Sequence, residues 1–334
     1  MIIKEPSYVK YANTSAYSTF LRYTNITLDI ESAKNIVVHT YTDDPEELIL
    51  KIKGLICLYP KKTIIIDNTT EKLSDSIGSK LLVECNSNNI IILCNGVNDY
   101  NLRSNLINSR IKFIEEQFFV KYYYYYTPNF SAPKDIPKRK FLLLTGKDKL
   151  ERRTLVRKLI QRGLDQYGYI SYFGIVPEVG SIPLHTTNSN PVYDEFVNLN
   201  EKENDRFFKQ FNKNLTLDEK VFDYNISHSR NYFAKYYNAV DFLIIPESDV
   251  FSTRVFHTEK TTKAIQLNKK FLLLNTQGAI QDLKVTFNRL HNKDINHLTD
   301  WVDTTYDSIL DINNKINTIV DIVEEQVHAK RSFI

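Results

Sequence analysis

The sequence predicts an α/β fold built from two similar halves, and three observations support this class. Short runs rich in Ile, Leu and Val alternate with helical patterns in both halves of the chain, which is typical of parallel sheets connected by helices. The length of 334 residues exceeds the size at which one hydrophobic core stops growing. Between the halves, residues 127–138 hold three prolines, and proline is excluded from helix interiors and central strands.

The first half contains three β-rich runs separated by two helical patterns, in the order β-α-β-α-β. The strands are expected at Asn35–His39, Thr63–Ile66 and Asn89–Leu93. The helices are expected at Pro45–Ile56 and Glu71–Val83. Polar turn residues bound each run, as they bound strands in known folds. We therefore predict a Rossmann-like domain at residues 1–130, followed by a hinge at 131–138.

The second half repeats the alternation, so we predict a second Rossmann-like domain at residues 139–303. Its strands are expected at Lys140–Leu144, Tyr169–Tyr172, Phe242–Ile245 and Phe271–Leu274. Its helices are expected near Lys149–Gly163, Arg230–Tyr237, Thr258–Leu267 and Ala279–Thr286. A last helix is expected within residues 304–334, from Thr304 to about Lys330, with one apolar stripe formed by Ile309, Ile312, Ile316, Ile319 and Val323. Its length predicts that it packs across both domains.

Two segments stand outside this alternation. Residues 177–225 are irregular apart from one helical pattern at Asn200–Asn214, and we interpret them as an insertion or a lid. The five tyrosines Tyr122–Tyr126 predict a strand or an extended connector, because aromatic residues favour strands. An aromatic platform that stacks on a ligand is the alternative.

Composition and residue usage restrict the class of protein. The 42% hydrophobic and 25% charged residues are ordinary for a globular protein. The first residues show no signal-peptide pattern, and no run approaches the ~18 apolar residues of a membrane span, so we expect a cytoplasmic protein without a membrane partner. If the chain is viral, the host cytoplasm is the expected location. The three cysteines, Cys57, Cys85 and Cys94, are not paired in metal-binding or disulfide spacings, so we expect buried thiols and no metal site.

The most informative stretch is 241–275, which reads as strand, polar loop, helix and strand. The first strand leads into Glu247 and Ser248, and the helix opens at Thr258, Glu259 and Lys260. Ligands of parallel α/β sheets bind where the strands end. A helix N-terminus there offers N–H groups and a positive dipole to a phosphate, and the lysine adds a full charge. An ordinary N-cap is the structural alternative, but the position after a buried strand favours a negatively charged ligand.

A basic segment precedes this stretch. From Lys134 to Arg162 the chain carries eleven basic and three acidic residues, a net charge of +8. The turn at Gly146 and Lys147 follows a predicted strand and opens a helix, which suits a phosphate. We expect Lys147 or Arg153 to be the second phosphate ligand. The same charge also suits a DNA backbone.

Further along the same predicted helix, the basic residues are interpreted as structural. Arg157, Lys158 and Arg162 are expected to form a solvated helix face, with their aliphatic stems covering apolar surface. This interpretation predicts side chains that are open to solvent.

The stretch around Thr258–Thr261 resembles the donor-binding signature of the α1,3-fucosyltransferases, in which an acidic residue follows a strand and Thr or Ser-Glu-Lys opens a helix. It is also similar to phage and giant-virus glycosyltransferase-like proteins, and that similarity covers roughly residues 140–330. The further matching residues are Lys263, Phe271–Leu274, Gly278, Asp303, Thr304, Tyr306 and Asp307. The resemblance implies the GT-B architecture, two Rossmann-like domains facing each other across a cleft. It also implies that Glu259 holds the ribose hydroxyls of a nucleotide sugar and that Lys260 holds its diphosphate.

Glycosyl transfer also needs a carboxylate that removes the proton of the acceptor hydroxyl. The best-placed candidates are Asp99 and Asp67, which follow two predicted strands of the first half. Turn capping is the structural alternative for both residues. No metal and no cofactor is required beyond the donor, which we expect to be a UDP- or GDP-linked sugar.

Three functions remain open on these grounds. The first is a nucleotide-sugar-dependent glycosyltransferase, which would be a hexosyl- or pentosyltransferase. Its expected acceptor is a hydroxymethylated pyrimidine such as hydroxymethylcytosine in phage DNA, so double-stranded DNA is its expected partner. The second is a glycan or protein glycosyltransferase. The third is a non-catalytic protein that binds nucleotides or nucleic acid, because a fold does not fix a function.

Overall fold

The structure is a computed structural model of the whole chain, and it divides into two compact units, Met1–Tyr126 and Thr127–Ile334. It describes residues 2–4, 26–27, 35–39, 45–68, 73, 75–94, 97, 100–115, 120, 136–145, 149–172, 191–211, 215, 234–247, 250–251 and 255–329. The tyrosine run and residues 131–135 of the predicted hinge lie outside these ranges. The described strands of both units pair in parallel and alternate with helices, which confirms the predicted α/β class.

Unit 1 is built on one parallel sheet of six described strands in the order β2-β1-β3-β4-β5-β6. The strands are β1 Ile2–Lys4, β2 Ile26–Thr27, β3 Asn35–His39, β4 Thr63–Asn68, β5 Ile90–Cys94 and β6 Lys112–Glu115. The helices are α1 Pro45–Leu58, α2 Asp75–Glu84 and α3 Tyr100–Ile107. The three predicted strands are present as β3, β4 and β5, whereas the sequence prediction missed β1, β2, α3 and β6.

The core of unit 1 forms because its central strands are nearly continuous apolar runs, as is typical of parallel strands covered on both faces. Ile64 and Ile66 of β4 point into the main cluster, whereas Ile65 belongs to the cluster on the other face. The expectation of buried thiols is correct for Cys85 and Cys94 but wrong for Cys57, which is exposed near the end of α1.

Unit 2 is built on a parallel sheet of four described strands in the order β10-β9-β7-β8. The strands are β7 Arg139–Thr145, β8 Gly168–Tyr172, β9 Val240–Pro246 and β10 Lys270–Leu274, in agreement with the four predicted strands. The helices are α4 Leu150–Gln161, α5 Pro191–Gln210, α6 Ala234–Asn238, α7 Glu259–Gln266, α8 Ala279–His291, α9 Asn296–Thr299 and α10 Ile312–His328. From β7 the chain first adds β8 on one side and later adds β9 on the other side. The topological switch point therefore lies between β7 and β9.

The face of α4 that carries Arg157 is buried, although the sequence predicted a face open to solvent. The Arg157 side chain is 2% exposed and donates from Nε to Asn204 Oδ1 at 2.6 Å and from Nη2 to Asn200 Oδ1 at 3.2 Å. It also forms an ion pair with Glu203, and burial lowers the pKa of its guanidinium. The predicted solvated face is therefore wrong for Arg157, because α5 covers it. Since α5 packs on α4, this part of the predicted lid belongs to the packed layers of unit 2.

The remaining basic residues of α4 and its C-terminal end contact helix α10. Lys158 Nζ donates to Asn317 Oδ1 at 2.6 Å. Arg162 forms ion pairs with Asp321 and Glu324. These contacts hold α10 against α4, within unit 2.

Helix α10 begins later than predicted. Residues Thr304–Ser308 form a separate 3-10 helix, and Asp311 caps α10 by accepting the Asn314 N–H at 2.6 Å. The apolar stripe is confirmed from Ile312 onward, because its residues are buried, whereas Ile309 precedes the helix. In unit 2 the helix contacts α4 and β10. Packing across both domains stays a prediction.

The segment between α9 and α10 covers the outer edge of β10, on which no further strand pairs among the residues that the structure describes. The Tyr306 hydroxyl accepts the Leu273 N–H at 3.0 Å, and Trp301 Nε1 donates to the Phe271 carbonyl at 3.3 Å. Tyr306 is 1% exposed, and burial raises the pKa of its hydroxyl. Two outward-facing backbone groups of β10 are thereby paired with side chains.

Candidate functional site

The candidate site lies at the carboxyl edge of the unit 2 sheet, beside the switch point between β7 and β9. Strand β7 ends at Thr145, and β9 ends at Pro246, directly before Glu247. Of the predicted residues at these strand ends, Gly146, Lys147 and Ser248 lie outside the described residues. Sheets of this topology bind ligands in the crevice at the switch point, so this edge is the part of unit 2 in which a ligand is expected.

Glu247 joins the end of β9 to the start of α7. Its side chain is fully buried, and its carboxylate accepts the Thr258 N–H at 3.0 Å and the Thr258 hydroxyl at 2.6 Å. It also accepts the Thr261 hydroxyl. A carboxylate at a helix N-terminus is stabilised by the unpaired N–H groups and by the dipole. Glu247 therefore positions α7 in the structure, and its direct contact with a ligand stays a prediction.

The first turn of α7 places Lys260 at the positive end of the helix. Thr258 is the N-cap, because its hydroxyl accepts the Lys260 N–H at 3.3 Å. The Lys260 ammonium lies 3.2 Å from Glu259 Oε1 and 3.4 Å from Thr258 Oγ1. Both charged side chains are partly buried, with 25% of Lys260 and 21% of Glu259 exposed. A cation at a helix N-terminus opposes the dipole, and here the Glu259 carboxylate balances its charge, so an anionic ligand at Lys260 stays a prediction.

Lys263 adds a second ammonium one turn further along α7. It lies at i+4 from Glu259 and at i+3 from Lys260, and such neighbours share one helix face. Its side chain is half-buried. Burial lowers the pKa of its ammonium, and the Glu259 carboxylate opposes this shift. The face of α7 that carries Glu259 thus also carries two lysines.

Arg152 connects the start of α4 to the end of β9 across the switch point. The side chain is buried, and its Nη2 donates to the Glu247 carbonyl at 3.2 Å and to the Pro246 carbonyl at 3.4 Å. The neighbouring Arg153 donates to Asp205 Oδ1 on α5 at 2.8 Å, and its predicted role as a phosphate ligand stays a prediction. The sequence prediction missed Arg152, although the dense basic segment around it was a signal.

A buried lysine of α10 supports the other side of the site. Lys315 is fully buried and donates from Nζ to the Asn275 carbonyl at 3.1 Å and to the Asp307 carbonyl at 3.2 Å. Asn275 in turn donates from Nδ2 to the Phe256 carbonyl at 2.9 Å, which fixes the chain just before α7. Burial lowers the pKa of Lys315 to about 8, and the charge of Asp307 opposes this shift.

The group Asp303, Thr304, Tyr306 and Asp307 has structural contacts. Asp303 caps the 3-10 helix by accepting the Thr305 N–H at 2.9 Å. Asp307 accepts the Ile280 N–H at 2.9 Å, at the start of α8. Burial raises the pKa of the Asp307 carboxyl, although Lys315 and the backbone N–H groups of α8 oppose this shift. The matching residues beyond α7 therefore hold the edge of the sheet and the start of α8.

The two predicted catalytic carboxylates belong to unit 1. Asp99 lies outside the described residues. Asp67 lies near the end of β4 with a fully buried side chain. Its backbone pairs with His39 and Leu93 inside the sheet. A general base must reach the acceptor hydroxyl, and this role of Asp67 stays a prediction. Among the described residues, no group of three or more His, Cys, Asp or Glu side chains is arranged to hold a metal ion.

Comparison with known proteins places the chain in no family. No protein-family model matches it, and comparisons with curated proteins and with solved structures gave no match. The resemblance to fucosyltransferases therefore depends on the residues of the sequence alone. In the part of the chain that the structure describes, no helix is both long enough and apolar enough to cross a membrane.

Proposed function

We propose that this protein is a nucleotide-sugar-dependent glycosyltransferase and that unit 2 binds the diphosphate of the donor. The observation that carries the proposal is the ammonium of Lys260 at the start of a helix that Glu247 anchors to the carboxyl edge of a parallel sheet. That edge is where doubly wound sheets bind nucleotides. The GT-B arrangement, with the acceptor bound by unit 1, is part of the same proposal.

The chemistry of transfer explains why these groups suit a donor. When the bond between the sugar carbon and the diphosphate oxygen breaks, negative charge develops on the leaving diphosphate. Lys260 and the N-terminal dipole of α7 stabilise that charge. Glu259, held 3.2 Å from Lys260 Nζ, offers carboxylate oxygens to the ribose hydroxyls. A carboxylate of unit 1 takes the acceptor proton, and Asp99 is the candidate that we propose for this step.

The acceptor is the less constrained part of the proposal. The basic segment at residues 134–162 suits a DNA backbone by its net charge, yet its residues Arg153, Arg157 and Arg162 form ion pairs inside unit 2. Paired charges contribute little to the attraction of a phosphate backbone. The proposal of a hydroxymethylated pyrimidine in DNA therefore depends on the resemblance to phage proteins. Binding to duplex DNA that falls steeply with salt would support it, and salt-independent binding of a glycan would support the second function.

The donor site is tested by thermal unfolding with UDP-, GDP-, dTDP- and CMP-linked sugars. A ligand at 100 times its dissociation constant stabilises the native state by about 2.7 kcal/mol. For a domain the size of unit 2, this corresponds to a rise in Tm of about 5–10 °C. We expect such a rise with one nucleotide class and its loss in Lys260→Ala. The control is Lys202→Ala, which removes an exposed lysine from α5 and should leave the shift unchanged.

The outcomes separate the three functions. Release of the nucleotide diphosphate in the presence of an acceptor, lost in Lys260→Ala, supports a transferase. A nucleotide-dependent rise in Tm without turnover on any acceptor supports the non-catalytic binding protein. If no nucleotide or nucleotide sugar changes the Tm of the folded protein, the proposal is wrong.

A further inference from the structure

A pocket opens at the edge of the unit 2 sheet where the strands begin, opposite the edge that carries Lys260. It has a volume of about 460 Å³ and is lined by the starts of β9 and β10 together with Trp301 and Gln326. Because the strands are parallel and five to seven residues long, this pocket lies about 15–20 Å from the edge that carries Lys260. It is therefore separate from the proposed donor site.

The pocket carries an excess of positive charge. Its charged lining residues are Lys140, Asp241, Lys269 and Lys270, so three ammonium groups face one carboxylate. Lys140 Nζ lies 3.2 Å from Asp241 Oδ2, and Asp241 also acts on Lys269, so one carboxylate is shared among three ammonium groups and the lining keeps a net positive charge. A concave surface with a net charge of this sign concentrates anions.

Lys269 and Lys270 lie at the wall of the pocket. Lys269 Nζ donates to the Val240 carbonyl at 3.1 Å, so one of the three donors of its ammonium is used within the protein. Its side chain is half-buried, and burial lowers the pKa of its ammonium, with Asp241 opposing. Lys270 Nζ lies 5.7 Å from the centre of the Trp301 ring, which attracts the cation.

Trp301 forms a rigid apolar wall beside these charges. Its Nε1 donates to the Phe271 carbonyl at 3.3 Å, and its ring packs against Phe242 with the ring centres 4.9 Å apart. The orientation of the indole is thus fixed from two sides. The pocket combines an aromatic wall, two ammonium groups with remaining donors, and a net charge of about +2, which together suit an anionic ligand.

We propose that this pocket binds a small ligand that carries a phosphate or diphosphate group. The ammonium groups of Lys269 and Lys270 bind the phosphate oxygens, and the Trp301 ring contacts the remainder of the ligand. The proposal does not depend on the proposed transferase activity, because none of the residues at the start of α7 takes part.

The test uses the fact that Trp301 is the only tryptophan of the chain. The full-length protein is titrated with inorganic pyrophosphate at constant ionic strength, with sodium chloride as the matched salt, and Trp301 fluorescence is recorded. We expect a saturable change with pyrophosphate and none with chloride. Lys269→Gln and Lys270→Gln should each weaken binding about fivefold, the effect of losing one partly exposed ion pair. The control Lys202→Gln makes the same charge change at an exposed position of α5 and should bind as the wild type does.

A second comparison distinguishes this pocket from the donor site, which is also expected to take pyrophosphate. Lys260→Ala should leave the titration of Trp301 fluorescence unchanged. The inference is wrong if the fluorescence change does not saturate, if both pocket variants bind like the wild type, or if Lys260→Ala abolishes the signal. Circular dichroism of each variant establishes that the protein is folded.

Discussion

The buried Lys315 should make the stability of unit 2 depend on pH in the alkaline range. The ordinary pKa of lysine is 10.5, and burial lowers that of Lys315 to about 8. Below the lower value the ammonium is charged in both the folded and the unfolded state, and its desolvation costs about 3 kcal/mol, from 1.36 kcal/mol per pKa unit. Between the two values only the unfolded state keeps the proton, so stability rises with pH. Above 10.5 the cost has disappeared.

The comparison of wild type with Lys315→Met isolates this effect, because methionine has a similar length and does not titrate. Urea unfolding, followed by Trp301 fluorescence in unit 2, is measured at several pH values from about 7 to 9.5. From the linkage relation, we expect the wild type to gain about 2 kcal/mol over the variant across this range. Asp307→Asn removes the negative charge that opposes the shift, so the pKa of Lys315 should fall further and the gain in stability should occur at lower pH. If the wild type and Lys315→Met show parallel pH profiles, the ammonium is not desolvated and the reasoning is wrong.

Three further predictions concern stability and can be measured by urea unfolding at neutral pH. Glu247→Gln should lower the free energy of unfolding by about 2 kcal/mol, because the charge is removed and one of the two oxygens that accept three buried hydrogen bonds becomes a donor. An unchanged value would contradict the anchoring role. Arg157→Leu should lower the free energy of unfolding by about 3 kcal/mol, since it leaves two buried asparagine oxygens without their donor. The control Arg206→Leu, at an exposed position of α5, should leave the free energy of unfolding nearly unchanged. Gly168→Ala should cost about 1–3 kcal/mol through overpacking, because the new methyl group would overlap the buried Phe141 ring. Gly54 is exposed within α1 and has open space around it, so Gly54→Ala should instead raise the free energy of unfolding by about 0.5–1 kcal/mol. Equal effects at the two glycines would show that backbone entropy, and not packing, determines the change in stability.

The central strands could be predicted from the sequence because burial on both faces leaves a continuous apolar run. Ile90–Cys94 and Lys270–Leu274 are such runs. The edge strand Lys112–Glu115 is short, and its ends are charged, so no pattern separated it from a loop. Helix Tyr100–Ile107 buries only two residues, which is too weak an apolar face to be recognised.

The start of α7 could also be predicted, because an N-cap threonine after a buried strand is a local signal. The contacts that hold the start of α7 in place could not be predicted from the sequence. Lys315 lies in an amphipathic helix, where a lysine ordinarily faces water, and only its position against Asn275 reveals the buried hydrogen bond. Arg157 was misinterpreted for the same reason, since the helix that covers it follows about 40 residues later in the chain. Buried charges depend on tertiary neighbours, which sequence periodicity does not record.

The side chains that cover the β10 edge also limit how this protein can associate with itself. An open edge strand is a template on which a second chain can add a strand, and such addition leads to aggregation. Here Trp301 and Tyr306 occupy the Phe271 carbonyl and the Leu273 N–H. At the opposite edge, the Tyr172 N–H of β8 donates to the Leu215 carbonyl at 3.3 Å. Both edges of the unit 2 sheet therefore have backbone groups that a neighbouring molecule reaches only after these contacts are broken.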